Sequence, residues 1–163
     1  VRAFFKYFFN KGKILSNVPS KLSLPKLHEK EIIRLDFNEI TRLVDLCENG
    51  DCLTERQRAY HKNTKIRDVD IITLFLGTGI RISELVGLNL GDIDFNSNKF
   101  VVTRKGGNRD TLFFNDEVAS ALSDYVDART DKDNKNAPLF LSLQEKRISQ
   151  RTVQELVKKY AKQ

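Results

Sequence analysis

The hydrophobic positions of the chain follow a helical spacing in six stretches and a strand-like spacing in one. Apolar side chains three and four residues apart predict six helices. Their apolar stripes are Phe4, Phe5, Phe8 and Phe9; Ile40, Leu43, Val44 and Cys47; Val69, Ile72, Phe75 and Leu76; Leu85 and Leu88; Val118, Leu122, Tyr125 and Val126; and Val153, Leu156, Val157 and Tyr160. Residues 92–114 instead hold short β-branched and aromatic runs between Asn-Ser-Asn and Gly-Gly-Asn turns, which predicts three antiparallel strands. We therefore expect an α+β fold, mainly helical, with one small three-stranded antiparallel sheet.

Three of the predicted helices are preceded by a capping residue. Asp36 stands before the second helix with Glu39 three residues later, a carboxylate version of the capping box. Asn115 and Ser149 stand in the corresponding place before the last two helices. A short extended piece is expected between those two helices, at residues 139–143.

Two polar stretches show no period. Residues 49–66 are predicted to be a loop, whose cations include Arg56 and Arg58. Either this loop meets phosphate groups, or its cations only face solvent. Residues 16–30 contain two prolines and are typical of an interdomain linker.

Length and charge restrict the classes of protein that this sequence can encode. With 163 residues the chain can bury one good core. The 28 Lys and Arg against 22 Asp and Glu give a net charge of +6 and an isoelectric point near 9.3. This excess fits a polyanionic partner without proving one. No run approaches the ~18 apolar residues of a membrane span, and no signal-peptide pattern opens the chain, so no membrane is expected.

The cysteines and histidines do not form a metal-binding pattern. The chain has two cysteines, Cys47 and Cys52, and two histidines, His28 and His61. A four-ligand zinc set would have to recruit carboxylates as well. We expect free thiols in a reducing cytoplasm and no bound metal.

The apolar run of the third helix breaks at Gly77-Thr78-Gly79, and a lone arginine, Arg81, follows. The absence of Gly-Lys-Ser/Thr excludes a nucleotide P-loop, and a dinucleotide site would need a third glycine and a βαβ context. Two interpretations remain. The turn presents Arg81 to an anion at a helix N-terminus, with Glu84 holding the guanidinium from the same helix face. Alternatively, Arg81 and Glu84 form an exposed pair that contributes about 0.3 kcal/mol. The spacing favours neither.

A second cationic turn is predicted between the second and third strands. It carries Arg104, Lys105 and Arg109 around Gly106-Gly107. The glycines let the backbone approach a surface closely, so a hairpin tip with three cations can enter a DNA groove. A basic hairpin turn alone is weak evidence, but its combination with Arg81 is a specific pattern.

The runs "LFLGTGIRISELVGLNLGDIDF" and "VVTRKGGNRDTLFF" strongly resemble the tyrosine recombinase family of phage-type integrases and Xer-like resolvases. The resemblance implies that Arg81 is a catalytic arginine, Glu84 its supporting acid and Lys105 the catalytic lysine. It implies a cofactor-free reaction on double-stranded DNA that serves recombination or integration, as in a mobile genetic element. A tyrosine attacks a phosphodiester, arginines neutralise the phosphorane, and the lysine protonates the leaving 5′-oxygen. The residues expected to contact DNA are Arg104, Arg109, Arg56 and Arg58.

The resemblance also divides the chain. Residues 1–13 resemble the last helix of an N-terminal core-binding domain, residues 14–30 an interdomain linker, and residues 31–163 the N-terminal part of a catalytic domain, truncated at its C-terminus. The family implies a cytoplasmic enzyme that assembles as a homotetramer on DNA.

The chain departs from the family in one respect. The family's next motif is His-x-x-Arg, followed by the nucleophilic tyrosine, but no histidine occurs after His61. The tyrosines of the chain stand at other places, and these are Tyr7, Tyr60, Tyr125 and Tyr160. The spacing of Tyr160 makes it a core residue. We expect this chain alone to bind DNA without cutting it. Two alternatives are a non-catalytic DNA-binding module and a helical interaction domain whose cations only maintain solubility.

Overall fold

The computed structural model describes residues 1–23, 34–51, 53–104 and 106–161, and the chain divides into two compact units, Val1–Arg34 and Leu35–Gln163. The first unit contains helix α1 (Arg2–Asn10), which confirms the first predicted helix, and a 3-10 helix (Val18–Lys21). None of the residues of α1 is buried. The predicted linker, residues 14–30, contains that 3-10 helix, and its residues 24–30 lie outside the described residues. The predicted domain bounds stay a prediction.

The second unit is mainly helical and holds one small sheet, which confirms the predicted fold class. Its elements, in chain order, are α2 (Phe37–Asn49), α3 (Glu55–Thr78), α4 (Ile82–Leu85), a 3-10 helix (Leu90–Asp92), β1 (Ile93–Asp94), β2 (Lys99–Thr103), β3 (Arg109–Phe113), α5 (Asp116–Asp127) and α6 (Gln150–Ala161). The strands are antiparallel in the order β1-β2-β3, and Thr103 pairs with Arg109 at the end of the hairpin.

The three predicted caps are confirmed. Asp36 accepts a bond from the Glu39 N–H at 2.8 Å, and the Glu39 carboxylate accepts from the Asp36 N–H at 2.8 Å, which completes a capping box. Asn115 Oδ1 accepts from the main chain at 3.1 Å at the start of α5, and Ser149 Oγ does the same before α6. Each cap satisfies an N–H that the first helical turn leaves without a partner.

The prediction of a loop over residues 49–66 was wrong for most of its length, because α3 begins at Glu55. The helix starts at a second capping box, in which Thr54 Oγ1 accepts from the Gln57 N–H at 3.4 Å and Gln57 Oε1 accepts from the Thr54 N–H at 3.0 Å. The first half of α3 is largely exposed, so its sequence lacks the apolar stripe that would mark a helix. Arg56 and Arg58 therefore lie on a helix.

The core of the second unit lies where α3 packs against α5, and buried residues of β2 belong to the same cluster. Ile71 and Leu74 on α3 and Leu122 on α5 are completely buried, and Phe100 on β2 is 1% exposed. One acidic side chain is enclosed with them. Asp70 on α3 is completely buried, and neither of its carboxyl oxygens has a hydrogen-bond partner among the described residues.

The extended piece predicted at residues 139–143 forms one isolated bridge, Leu141 with Arg147, and Pro138 just before it forms another with Asn89. Buried arginine side chains hold it in place. Arg129 donates to the carbonyl of Pro138 at 2.7 Å, and Arg67 donates to the carbonyl of Leu141 at 2.8 Å. These cations satisfy main-chain oxygens that no regular strand pairs with.

Among the described residues, no helix is both long enough and apolar enough to cross a membrane.

Candidate active site

Two glycines at the C-terminal end of α3 precede Arg81, and they have different roles. Gly79 ends α3 in the left-handed region with φ 62°, and its N–H donates to the carbonyl of Phe75 at 3.0 Å. Gly77 is required for packing, because a Cβ there would lie 2.5 Å from Cγ2 of Val118 on α5. After the turn, Arg81 is the N-cap residue of α4.

Glu84 holds Arg81 from below the surface. Oε1 of Glu84 lies 3.0 Å from Nη1 of Arg81, and Oε2 accepts from the Arg81 N–H at 3.1 Å. The Glu84 side chain is 5% exposed, whereas the Arg81 side chain is 66% exposed. The pair is therefore a buried carboxylate that orients an exposed guanidinium, which differs from the exposed pair considered from the sequence.

The carboxyl of Glu84 stays ionised in this setting. Burial raises its pKa, but the two hydrogen bonds from Arg81 and the positive charge of Arg104 outweigh that effect and bring the pKa below its ordinary value. One carboxylate thus faces two guanidinium groups, and that of Arg81, whose side chain is 66% exposed, is accessible to an anion.

The predicted helix after the turn is shorter than expected. It ends at Leu85, although Leu85 and Leu88 are buried at 0% and 2% exposure as predicted. A helix of four residues has little dipole, and Glu84 already binds the first N–H. Attraction of an anion to this point therefore depends on Arg81 itself.

The hairpin between β2 and β3 approaches the same carboxylate. Nη1 of Arg104 lies 3.4 Å from Oε1 of Glu84, on the oxygen that also binds Arg81. The Arg104 N–H donates to the carbonyl of Asn108 at 2.7 Å, and the Gly107 N–H donates to the carbonyl of Arg104 at 3.0 Å, which closes the turn.

The remaining predicted residues of the hairpin are only partly described. The Arg109 side chain is 70% exposed, and its nearest acid is Asp92 at 3.9 Å. Lys105, the predicted catalytic lysine, lies outside the described residues, so its role stays a prediction.

Arg56 and Arg58 are not brought to this cluster. Both lie in the first turn of α3, and Arg81 follows the last turn of that helix. A helix of 24 residues is about 36 Å long, so its two ends are far apart. Arg58 donates to the carbonyl of Asp51 at 3.1 Å.

Two of the four tyrosines are core residues. Tyr160 is 1% exposed and donates to Asp68, and Tyr125 is 8% exposed and accepts from the Leu141 N–H at 3.2 Å. Burial, reinforced by the charge of Asp68, raises the pKa of Tyr160, and burial also raises the pKa of Tyr125. Both effects disfavour the phenolate that a nucleophile needs. The burial of Tyr160 confirms the prediction that it is a core residue.

Sequence reasoning missed the partners of Arg104. The guanidinium lies against Asp110 at 2.9 Å as well as against Glu84. Opposite charges at both ends of the predicted hairpin turn were a possible signal for the first contact. In the part of the chain that the structure describes, no group of three or more His, Cys, Asp or Glu residues could hold a metal ion.

Comparisons with known proteins give matches along most of the chain. Residues 33–163 match the phage integrase family. Tyrosine recombinase XerC of Caldanaerobacter subterraneus subsp. tengcongensis is 38% identical over 164 residues, which cover 99% of this chain and 42% of that protein. The Tn1549 transposon integrase in complex with circular intermediate DNA has a TM-score of 0.67 at 20% identity, covering 99% of this chain and 57% of its own. XerA recombinase has a TM-score of 0.64 at 23% identity, and the match covers 82% of this chain and 43% of the XerA chain. The chain spans about half the length of these proteins, or less.

Proposed function

Because the chain belongs to the phage integrase family of tyrosine recombinases, we propose that it is part of an enzyme that breaks and rejoins double-stranded DNA at specific sites through a phosphotyrosyl intermediate. The observation that carries the proposal is the arrangement at the start of α4. An exposed Arg81 guanidinium rests on the buried carboxylate of Glu84, and a glycine-containing hairpin turn reaches the same carboxylate through Arg104.

Arg81 is suited to bind the phosphate that reacts. A guanidinium has five N–H donors, and Arg81 uses one of them on Glu84. The others are free to bind two non-bridging phosphate oxygens and to stabilise the charge that grows on them in the transition state. Glu84 fixes the direction of the side chain, so the donors are oriented before DNA binds.

Lys105 is proposed as the acid that protonates the leaving 5′-oxygen. A 5′-alkoxide is a poor leaving group, and general acid catalysis of this kind is worth about 10²–10⁴ in rate. Arginine is too basic for that task, whereas a lysine near other cations can have a lowered pKa. No cofactor enters this scheme, because guanidinium and ammonium groups provide the positive charge.

The proposed role of this chain alone is DNA binding without cleavage. Tyr125 and Tyr160 are buried, and the sequence has no His-x-x-Arg motif. The nucleophile and second arginine would belong to other parts of the full-length protein. Arg109 is proposed to contact DNA near the reacting phosphate, and Arg56 and Arg58 are proposed to contact it from the other end of α3. The tetrameric assembly and cytoplasmic location implied by the family belong to the same proposal.

The test compares two variants of the full-length protein on two DNA substrates. Arg81→Ala and Lys105→Ala should each slow single-turnover cleavage by about 10²-fold or more. Replacing the bridging 5′-oxygen by sulfur gives a leaving group that needs no proton. Lys105→Ala should recover most of its rate on that substrate, and Arg81→Ala should stay slow. Lys132→Ala, which removes an exposed cation bound to Asp127, is the matched control and should behave as the wild type.

Two results would overturn this proposal. Equal rescue of both variants would remove the separate roles of Arg81 and Lys105. A wild-type protein that binds DNA but forms no covalent adduct would instead favour a non-catalytic DNA-binding module.

A further inference from the structure

The side chain of Arg104 joins the hairpin turn to the carboxylate that holds Arg81. Its Nε and Nη2 each lie 2.9 Å from Oδ2 of Asp110, in β3. Its Nη1 lies 3.4 Å from Oε1 of Glu84, in α4. The guanidinium therefore connects two carboxylates that belong to different elements, one on the sheet and one at the candidate active site.

Among the described residues, Arg104 binds carboxylates on two different elements, whereas Arg81 and Arg109 do not. Two of the five guanidinium N–H groups of Arg104 donate to protein carboxylates, and Nη2 forms an ion pair with Asp110. Its side chain is 32% exposed, compared with 66% for Arg81 and 70% for Arg109. A guanidinium that is held between two carboxylates and is only 32% exposed offers less to a DNA phosphate than an exposed one. This geometry is better suited to holding the turn than to contacting DNA.

We propose that Arg104 is a positioning residue, which holds the β2–β3 turn against Arg81 through the shared carboxylate of Glu84. The inference rests on the proposed function, in which Lys105 of this turn donates a proton to the leaving oxygen. A general acid must come within hydrogen-bond reach of the atom it protonates. A displacement of about 1 Å can cost on the order of 10²-fold in rate. A loosened turn therefore slows proton donation and leaves DNA affinity intact.

The test uses the full-length protein, with single-turnover cleavage and the Kd for DNA measured separately. Arg104→Ala should slow cleavage by about 10- to 100-fold. Asp110→Asn removes one anchor of the turn without removing any cation, and it should slow cleavage in the same way. Both variants should keep the wild-type Kd within about twofold, because no phosphate contact is lost. The double variant should be no slower than Arg104→Ala, since both changes remove the same contact between Arg104 and Asp110.

Two further readouts separate positioning from a general loss of structure. The substrate with a bridging 5′-sulfur needs no proton donor, so it should restore most of the cleavage rate of Arg104→Ala, as it should for Lys105→Ala. Arg104→Lys keeps the charge but lacks the planar fork that spans two carboxylates. That variant should remain slow on the normal substrate.

A direct DNA contact predicts different results. Arg104→Ala would then weaken binding and flatten the salt dependence by about 0.9, and Asp110→Asn would cleave normally. Either result, or an Arg104→Lys variant as fast as the wild type, would overturn the positioning role and leave the recombinase proposal intact. Failure of the wild-type protein to form any covalent adduct would overturn the proposed function, and the positioning role with it.

Discussion

Tyr160 on α6 donates a hydrogen bond of 3.1 Å to Oδ2 of Asp68 on α3. Asp68 is 1% exposed, and the same oxygen accepts from Nζ of Lys159 at 3.1 Å. Its other oxygen accepts two bonds from Arg67, at 3.0 and 2.6 Å. These contacts of Asp68 with Arg67, Lys159 and Tyr160 form a buried polar joint that connects α6 to α3. The hydroxyl of Tyr160 therefore stabilises the fold.

The polar joint gives a prediction about stability. Tyr160→Phe should lower the free energy of unfolding by about 1 kcal/mol, because Asp68 keeps its other partners. Asp68→Ala should cost about 3 kcal/mol, since it leaves the cations of Arg67 and Lys159 without their buried carboxylate. Urea denaturation followed by circular dichroism measures both. Equal losses in the two variants would show that Asp68 does not organise the joint.

Local contacts could be predicted from the sequence, and contacts between distant elements could not. The caps at Asp36 and Asn115 and the Arg81–Glu84 pair each lie within four residues, so spacing revealed them. The start of α3 was missed although Thr54 begins a capping-box sequence, because the polar first half of the helix hid its period. The contact of Arg104 with Glu84 forms only when the hairpin packs beside α4, which no local pattern encodes.

Asp70 should make stability depend on pH. Burial, reinforced by the negative charge of Asp124 on α5, raises the pKa of Asp70 well above its ordinary value of 3.8. The folded chain therefore keeps a proton that the unfolded chain releases above about pH 4, so the contribution of Asp70 to stability falls as the pH rises from there towards the folded-state pKa. Within that window each pH unit costs about 1.4 kcal/mol.

The variant Asp70→Asn isolates this effect, because its amide stays neutral at every pH. The free energy of unfolding should fall more between pH 5 and pH 7 in the wild type than in the variant. Urea titrations at the two pH values measure the difference. The same fall in both proteins would show that Asp70 is ionised in the folded chain.

The two glycines of the turn should respond differently to the same substitution. Gly79→Ala places a side chain in the left-handed region at φ 62°, with nothing within 4 Å of the new Cβ, so its cost of about 1 kcal/mol is conformational. Gly79→Asn should cost less, because asparagine tolerates this region. Gly77→Ala instead meets Val118.

A double-mutant cycle with Val118→Ala distinguishes these causes. Gly77→Ala should be coupled to Val118→Ala, because the smaller side chain relieves the contact at 2.5 Å. Gly79→Ala should show no such coupling. Thermal or urea unfolding of the variants gives the coupling free energies, and equal coupling at both glycines would contradict the distinction.

Arg109 should contribute one phosphate contact to DNA binding. Arg109→Ala should weaken binding and reduce the slope of log Kd against log salt concentration by about 0.9. Fluorescence anisotropy of labelled duplex DNA over a range of salt concentrations measures the slope. Lys132→Ala removes a cation that Asp127 already binds at 3.1 Å, so it should leave the slope unchanged. An unchanged slope for Arg109→Ala would place Arg109 away from the DNA.

Arg67 and Arg129 end inside the protein, where their guanidinium groups bind main-chain carbonyls and their side chains are only 11% and 6% exposed. A reagent that modifies accessible arginines would reach fewer of them than the sequence contains. A nucleic acid likewise can contact only the arginines that are accessible at the surface. The isoelectric point near 9.3 registers every basic group, whereas an approaching polyanion finds fewer guanidinium donors to bind than the sequence contains.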